Sequence, residues 1–463
     1  MNATAAALVC LRSWRRGAAA PDGSRRLIAV AAAAAFVALS APASATTIER
    51  VVSPGGVEAW LVREPAVPLI AVEFAFSGGA NQDPVDKPGT ANLVAALLND
   101  GVGNLDSETF HKRLERKAVE LSFEAGRDTL RGSLRTLSEN RDEAFDDLRL
   151  CVTAARFDPS DIEINRAQIL STLRRATTNP TEIANLRWWR AAFADHPYGR
   201  PVSGTLESVP AITAADVRDY ARRVLARGNL KIGVVGDIDP ETLKPILDRV
   251  FGALPAQPQL TPVANVAPQG RGKRIVIKLD VPQAVVTFGG PGIARKDPDF
   301  MAAYVVNHIL GGGSFTSRLY QEVREKRGLA YSVYDSLVWL NHTALFLGGT
   351  ATRADRAGET VDLIEKEIHR LAEDGPSADE LAKAKSYLKG SFALELDTSN
   401  KIAALLVQLQ RDDLGMDYFA RRPQMIDAVT LDDAKRVAKR LLDGGLLVTV
   451  AGRPKGLASN TAE

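Results

Sequence analysis

Five histidines and two cysteines are the whole stock of imidazole and thiol chemistry in this 463-residue chain, and their spacing limits what they can do. A helical metal site usually pairs two histidines at i and i+4 with a carboxylate nearby. His111, His196, His308, His342 and His369 contain no such pair. His111, in "HKRLE", offers one imidazole on a polar helix and reads as a solvated side chain, while His308, just before the glycines of "LGGGS", reads as a helix-terminus residue. Cys151, in "DDLRLCVTAARF", has the apolar neighbours of a small core residue. No G-x-S-x-G elbow is present, and "GGANQDPVDKPG" lacks the Lys-Ser/Thr of a phosphate cradle, so serine-hydrolase and nucleotide chemistry have no support. The densest signal is "LGGGSFTSRLYQEVREKRGLAYSVYDSL". There Gly311, Gly312 and Gly313 break a helix, Ser317 stands where a cap would start another, and Arg324 and Tyr331 follow. Taken singly, these pieces read as a loop, one charge on a solvated face and a half-buried strand aromatic.

Such residues need a scaffold, and its outline is a duplication. "ITAADVRDYARRVLARG" returns as "VTLDDAKRVAKRLLDGG", with Thr213, Asp216, Ala221, Arg223, Leu225 and Gly228 matching Thr430, Asp433, Ala438, Arg440, Leu442 and Gly445 at a constant offset of 217. Each copy predicts a helix capped by its threonine and followed by an apolar strand, "LKIGVVGD" or "LLVTVAG". Before each lie strands ("LIAVEFAF", "QAVVTFGG"), a helix, a strand pair ("AVELSFEAG" and "TLRGSLRTL"; "GLAYSVYDSLV" and "TALFLGGTA") and long amphipathic helices. Strands and helices segregated in this order predict an α+β fold: two homologous α/β sandwiches, each a mainly antiparallel sheet with helices on one face. The Pro- and Gln-rich run over residues 252–272 lacks hydrophobic periodicity and reads as a linker between domains at 46–251 and 273–456.

Taken together, the Gly311–Leu337 stretch, "HPYGRPVSGT" at His196–Thr205 and the twofold repeat resemble the pitrilysin/insulinase-type (M16) zinc peptidases over roughly residues 50 to 453. That family includes insulin-degrading enzymes, mitochondrial processing peptidase and the core subunits of the respiratory cytochrome complex. The resemblance implies that Arg324 and Tyr331 contact substrate across a cavity from zinc, and that Gly311, Gly312, Gly313 and Ser314 form a flexible substrate-facing loop. It also implies an inverted zinc motif, H-x-x-E-H, in the first half. That motif falls on "NLVAA", where Asn92, Ala95 and Ala96 hold the positions of first ligand, base and second ligand. Thr172 and Asn165, in "IEINRAQILSTLRR", replace the third ligand and a supporting acid. An amide and two methyl groups cannot replace two imidazoles and a general base, so no metal or other cofactor is expected on this chain. "GTANLVAALLNDG" then reads as the catalytic helix of an ancestor with its packing retained.

By the same resemblance, the expected role is the non-catalytic, substrate-binding subunit of a heteromeric peptidase, with zinc in a homologous partner and an unfolded peptide as substrate. A structural or chaperone-like peptide-binding protein is the alternative, and an autonomous peptidase with an unrecognised site is a third reading.

The first 45 residues are basic ("LRSWRRGAAAPDGSRR"), then apolar ("LIAVAAAAAFVALSAPASA") and end in a small-x-small tripeptide, which reads as a secretory signal peptide cleaved after Ala45. Its apolar run is short for a bilayer span, and the Sec and twin-arginine routes both stay open at "SRRLIAV". A periplasmic or secreted protein with no membrane span in its mature form is expected. Removing the segment takes five of 58 basic and one of 56 acidic residues, leaving 53 against 55, so the net charge passes from +2 to −2. No basic run survives to suggest nucleic acid. Cys151 is left without an intrachain partner, so packing rather than a disulfide must supply stability.

Overall fold

The duplicated strands pair into two sheets that share a five-strand order, the first sheet carrying one additional edge strand, in a computed structural model that describes residues 47–457. The signal-peptide segment and its cleavage point lie outside those residues. The first sheet contains β1 (Glu49–Val52), β2 (Glu58–Arg63), β3 (Leu69–Ser77), β4 (Glu120–Ala125), β5 (Thr129–Leu137) and β6 (Leu230–Gly236), in the order β1-β2-β6-β3-β5-β4. The second contains β7 (Arg274–Lys278), β8 (Gln283–Pro291), β9 (Ala330–Leu340), β10 (Thr343–Arg353) and β11 (Leu447–Gly452), in the order β7-β11-β8-β10-β9. Pairing is antiparallel except where β2 runs parallel to β6 and β7 to β11, so each parallel pair in one half has its counterpart in the other. The strands therefore repeat as the sequence predicts, and both sheets belong to one compact unit from Ile48 onward.

Helices of the first half are α1 (Thr90–Leu97), α2 (Ser107–Arg116), α3 (Arg141–Ala154), α4 (Pro159–Ala176), α5 (Pro180–Phe193), α6 (Ala214–Val224) and α7 (Pro240–Phe251). Those of the second are α8 (Phe300–Asn307), α9 (Ala357–Asp374), α10 (Ala378–Ser391), α11 (Ser399–Asp412), α12 (Tyr418–Asp427) and α13 (Leu431–Leu442). The two threonine-led copies are α6 and α13. Each opens with a capping box in which the threonine hydroxyl accepts from the backbone N–H of Asp216 or Asp433, and that aspartate reaches back to the threonine. No helix among the described residues is long and apolar enough to cross a membrane.

Sheets with helices on one face should alternate buried and exposed residues, and the central strands do not. All of β11 is buried, as are seven consecutive residues of β8, and β6 exposes only Lys231. Their second faces are covered by helices exchanged between the halves. The first-half helix α5 lies on the second sheet: Trp188, Trp189 and Phe193 pack with Ile275, Leu345 and Leu447, and Trp188 Nε1 donates to the Leu447 carbonyl at 3.0 Å. The second-half helix α11 lies on the first sheet, with Ala403, Leu406 and Leu409 against Trp60, Val62 and Val235. Gly233 permits this approach, since a Cβ there would stand 2.4 Å from the Ala403 carbonyl oxygen. The expectation of helices on one face of each sheet thus holds for each half's own helices. The other face is supplied by the sister half, because strands this apolar on both sides would otherwise expose a large hydrophobic surface.

Residues 252–272 have no regular secondary structure, but they are pinned to both halves. Gln82 exchanges two hydrogen bonds with Thr261, and Val266 N donates to the His342 carbonyl at 2.9 Å.

One buried ion pair joins helices of the first half. Arg113 on α2 approaches Asp147 on α3 at 2.8 Å, and the aspartate side chain is 1% exposed. Burial outweighs the attraction of Arg113 and holds the Asp147 carboxyl up at about 6. Arg113→Ala strands that carboxylate. Because Arg113 is partly exposed, the expected loss is about 2 kcal/mol, read as a lower urea midpoint at neutral pH, and it should shrink below pH ~6 as Asp147 takes up a proton.

Candidate functional site

Helix α1 starts abruptly because its N-terminus is held by a carboxylate. Asp83 accepts from the backbone N–H groups of Gly89 and Ala91, both at 2.8 Å. Gly89 itself adopts φ 99°, a left-handed value that glycine tolerates, and it packs against Gly204 of the "HPYGRPVSGT" segment. Arg200 of that segment donates to the Asp83 carbonyl at 3.2 Å, and Ser208 to the Pro88 carbonyl at 2.7 Å. The segment therefore clamps α1 in place.

On this clamped helix, Asn92 and Ala96 line a cavity of about 300 Å³, together with Asn165, Gln168 and Thr172 of α4 and Ser203 of the clamp. Ala95 is 3% exposed and packs inward. Positions separated by eighty residues in the chain thus converge on one pocket. Its donors are amides and hydroxyls. Asn165 turns its Nδ2 to Asp100 and to the Asp161 carbonyl, and Thr172 Oγ1 accepts from Arg175. A tetrahedral zinc site requires imidazole, thiolate or carboxylate at these positions, so the residues present do not fit zinc. Among the described residues, no group of three or more His, Cys, Asp or Glu side chains is placed to hold a metal. Gln168 and Ser203 were not anticipated. Gln168 lies one turn beyond Asn165 on the same helix, which is the signal that could have found it.

Burial raises the Asp83 carboxyl to about 7, and its two backbone hydrogen bonds offset only part of that rise. A carboxyl raised above its ordinary value of 3.8 keeps its proton in the folded chain where the unfolded chain releases it. Stability contributed by this group is therefore present at low pH and is lost as the pH rises from about 4 to about 7. Asp83→Asn should flatten that decline in urea midpoints measured across the window. An unchanged slope would show that Asp83 is ionised throughout.

Arg324 and Tyr331 meet at the edge of the second sheet. Arg324 lies in a wide π-helical stretch over Tyr320–Glu325, and its guanidinium sits between two rings, 4.8 Å from the Tyr320 centroid and 4.6 Å from that of Tyr331. Tyr331 is the second residue of β9, an edge strand. The β9–β10 register slips between Val333↔Thr350 and Ala330↔Thr352, so Tyr331 and Ser332 face a single residue of β10. Such a bulge re-aims side chains. Tyr331 is 82% exposed, not half-buried as its strand position predicts.

The glycine stretch contributes differently from the expected flexible loop. A second π turn covers His308–Gly312, in which Gly311 is buried, and Gly313 beyond it is buried as well. A Cβ on Gly311 would stand 2.6 Å from Asp335 Oδ1, and one on Gly313 2.6 Å from the His308 carbonyl oxygen. These two glycines serve close packing, while Gly312, Ser314 (φ 48°) and Phe315 are exposed. Ser317 is extended and precedes the next helical stretch, but its hydroxyl donates to the Ser314 carbonyl at 2.8 Å and caps nothing. Asp335 is buried with no aligned donor at either carboxyl oxygen, and burial raises it well above the usual range. His308 is buried and stacks on Tyr387, with ring centroids 4.9 Å apart. His111 is less free than a solvated side chain: Nε2 lies 3.0 Å from the Asn99 carbonyl oxygen. Cys151 is buried, as its neighbours predict.

Comparison with known proteins agrees with this geometry. The family model described as "Insulinase (Peptidase family M16)" matches residues 61–206, and that described as "Peptidase M16 inactive domain" matches residues 211–388. The chain belongs to the M16 peptidase family. It is 28% identical to a non-peptidase homologue from Helicobacter pylori, over 72% of this chain and 77% of that one. It is also 28% identical to an uncharacterized zinc protease of Streptomyces coelicolor, over 88% of this chain and 90% of that one. The crystal structure of a peptidase M16 inactive domain from Pseudomonas fluorescens superposes with a TM-score of 0.83 at 27% identity, covering 90% of this chain and 100% of that one. The family match and the mixed α/β architecture agree on an M16 fold spanning both halves.

Proposed function

We propose that this chain is the non-catalytic, substrate-binding subunit of an exported heteromeric M16 zinc metallopeptidase, and that it supplies Arg324 and Tyr331 to the active site of a zinc-bearing homologue. The reading assigns the degenerate site to residues 46–251, the contributing pair to residues 273–456, and a periplasmic or secreted location to the signal-like leader. The observation that carries it is the cation–π stack of Arg324 on a Tyr331 ring left 82% exposed. A large aromatic held open to solvent beside a guanidinium stabilises the isolated chain little, yet it suits recognition of a polypeptide.

Zinc in the partner would supply the activated water. On this chain, the Tyr331 phenol can donate to a peptide carbonyl oxygen as that oxygen gains charge, and the Arg324 fork can hold backbone carbonyls of the substrate. Gly312 and Ser314 lie on the exposed side of the neighbouring turn, where they can contact the same peptide.

The test mixes the purified chain with a zinc-bearing homologue and follows cleavage of a quenched fluorescent peptide. Activity is expected only in the mixture, and it should be lost with the Arg324→Ala/Tyr331→Phe double variant. Equal activity with wild type and variant would remove the pair from the mechanism. A homodimer that binds peptides, ignores the homologue and supports no cleavage would favour the structural or chaperone-like role.

A further inference from the structure

A second cavity, of about 360 Å³, lies between the halves, bounded by the β4–β5 hairpin, the end of β9 and the last turn of α11. Three guanidiniums line it: Arg127, Arg131 and Arg411. Among the described residues, none of the three lies within ion-pair distance of a carboxylate. Arg127 donates to the carbonyls of Tyr198 and Arg200 at 2.8 and 3.1 Å and stacks 3.7 Å over Trp189. Arg411 reaches only the amide oxygens of Gln408 and Asn341, at 3.4 and 3.5 Å, the outer limit of a hydrogen bond. Arg131 is exposed at the rim, and its side chain has no hydrogen bond among the described residues. Burial lowers Arg127 to about 10; it also lowers Arg411, where the charge of Arg131 adds to the effect.

The carboxylates nearby are engaged or out of reach. Asp128 accepts from Asn81, Tyr198 and the Asn341 N–H. Asp412, beside Arg411, accepts from Trp339 Nε1 at 3.1 Å and lies 3.7 Å from Arg295. Glu124 stands opposite Arg131 in the β4–β5 register but forms no ion pair with it. Arg127 and Arg411 are drawn partly out of water, and the charges of Asp128 and Asp412 offset that cost only in part without pairing with them; a forked anion is what their planar donors match. Leu337, Val338, Trp339 and Leu340 form an apolar wall, and Gly126, Thr129, Gln408 and the carboxylates of Glu124 and Asp128 complete the lining. That wall suits an anion carried on a carbon skeleton better than a free inorganic ion.

We propose that this cavity is a subsite for a carboxylate of a bound peptide, with Arg411 and Arg131 gripping the carboxylate and Trp339 covering the residue that bears it. The assignment rests on the peptide-binding reading above. The carboxylate can come from a free C-terminus or from an acidic side chain, and the shared chemistry is the same.

Calorimetric titration of the intact chain with three alanine-rich peptides tests it: one with a free C-terminus, one amidated and neutral, and one amidated with a single internal glutamate. At least one carboxylate peptide should bind about tenfold or more tightly than the neutral one, and the stronger arm identifies the source. Arg411→Gln should reduce that affinity to the neutral level. Arg131→Gln should do the same in part, without risk to folding, because Arg131 is exposed. The preference should persist in Arg324→Ala/Tyr331→Phe, which separates the subsite from the pair. Equal affinity for all three peptides would overturn the subsite and leave peptide binding standing. Failure of every peptide to bind would overturn both.

Discussion

Trp188→Ala should lower the unfolding free energy by about 4 kcal/mol, seen as an earlier urea midpoint together with a broader, less cooperative transition. The indole is fully buried, and its ring stands edge-on to Trp189 at 5.6 Å. It fills the space above Gly289, where a Cβ would come 3.0 Å from its ring. Truncation leaves a cavity and removes the hydrogen bond to the Leu447 carbonyl. The loss of cooperativity follows from where the residue sits: α5 belongs to the first half by sequence and to the second sheet by packing, so weakening its seat weakens the coupling of the halves. Leu186→Ala on the same helix is the control, because Leu186 is 46% exposed and should change stability by less than about 0.5 kcal/mol. Equal effects at both positions would mean that the exchanged helix contributes only its intrinsic helicity.

Tyr331→Phe should lower kcat by about 10² to 10³ in the reconstituted heteromer while KM stays near its original value. The substitution keeps the ring, and with it the 4.6 Å stack under Arg324, and deletes only the hydroxyl. A donor that matters only once the carbonyl oxygen becomes negative contributes to the transition state and not to the ground state. Arg324→Lys should act differently. It retains the charge but loses the planar fork and the stack between two rings, so its effect should fall mainly on KM. If Tyr331→Phe changes kcat by less than about threefold, the phenol does not act on the developing charge.

Much of this protein can be read along the chain because it depends on local chemistry. Thr213 and Thr430 lead helices closed by the same capping box, since a threonine hydroxyl three residues before an aspartate satisfies N–H groups wherever it occurs. The strands repeat in the same order because the duplicated pattern of apolar residues is itself repeated. Asn92, Ala95 and Ala96 carry no imidazole, thiolate or carboxylate, so their mismatch with the zinc motif that the family resemblance places there is legible from side-chain identity.

Other features depend on which distant surfaces meet. Nothing near Trp188 or Leu406 states that each helix crosses to the sister sheet; that outcome reflects strands apolar on both faces and the partners available to cover them. Three consecutive glycines suggest freedom, yet Gly311 and Gly313 are small because Asp335 and the His308 backbone press against them. Tyr331 looks like a strand residue of ordinary burial until a bulge in an edge strand turns it outward. Arg127, Arg131 and Arg411 look like three unrelated surface charges until the hairpin, β9 and α11 bring them around one cavity. Composition, caps and periodicity are properties of neighbouring residues and so are legible in the chain. Burial on a second face, close approach and the pairing of charges depend on residues hundreds of positions away, and only the packed molecule decides them.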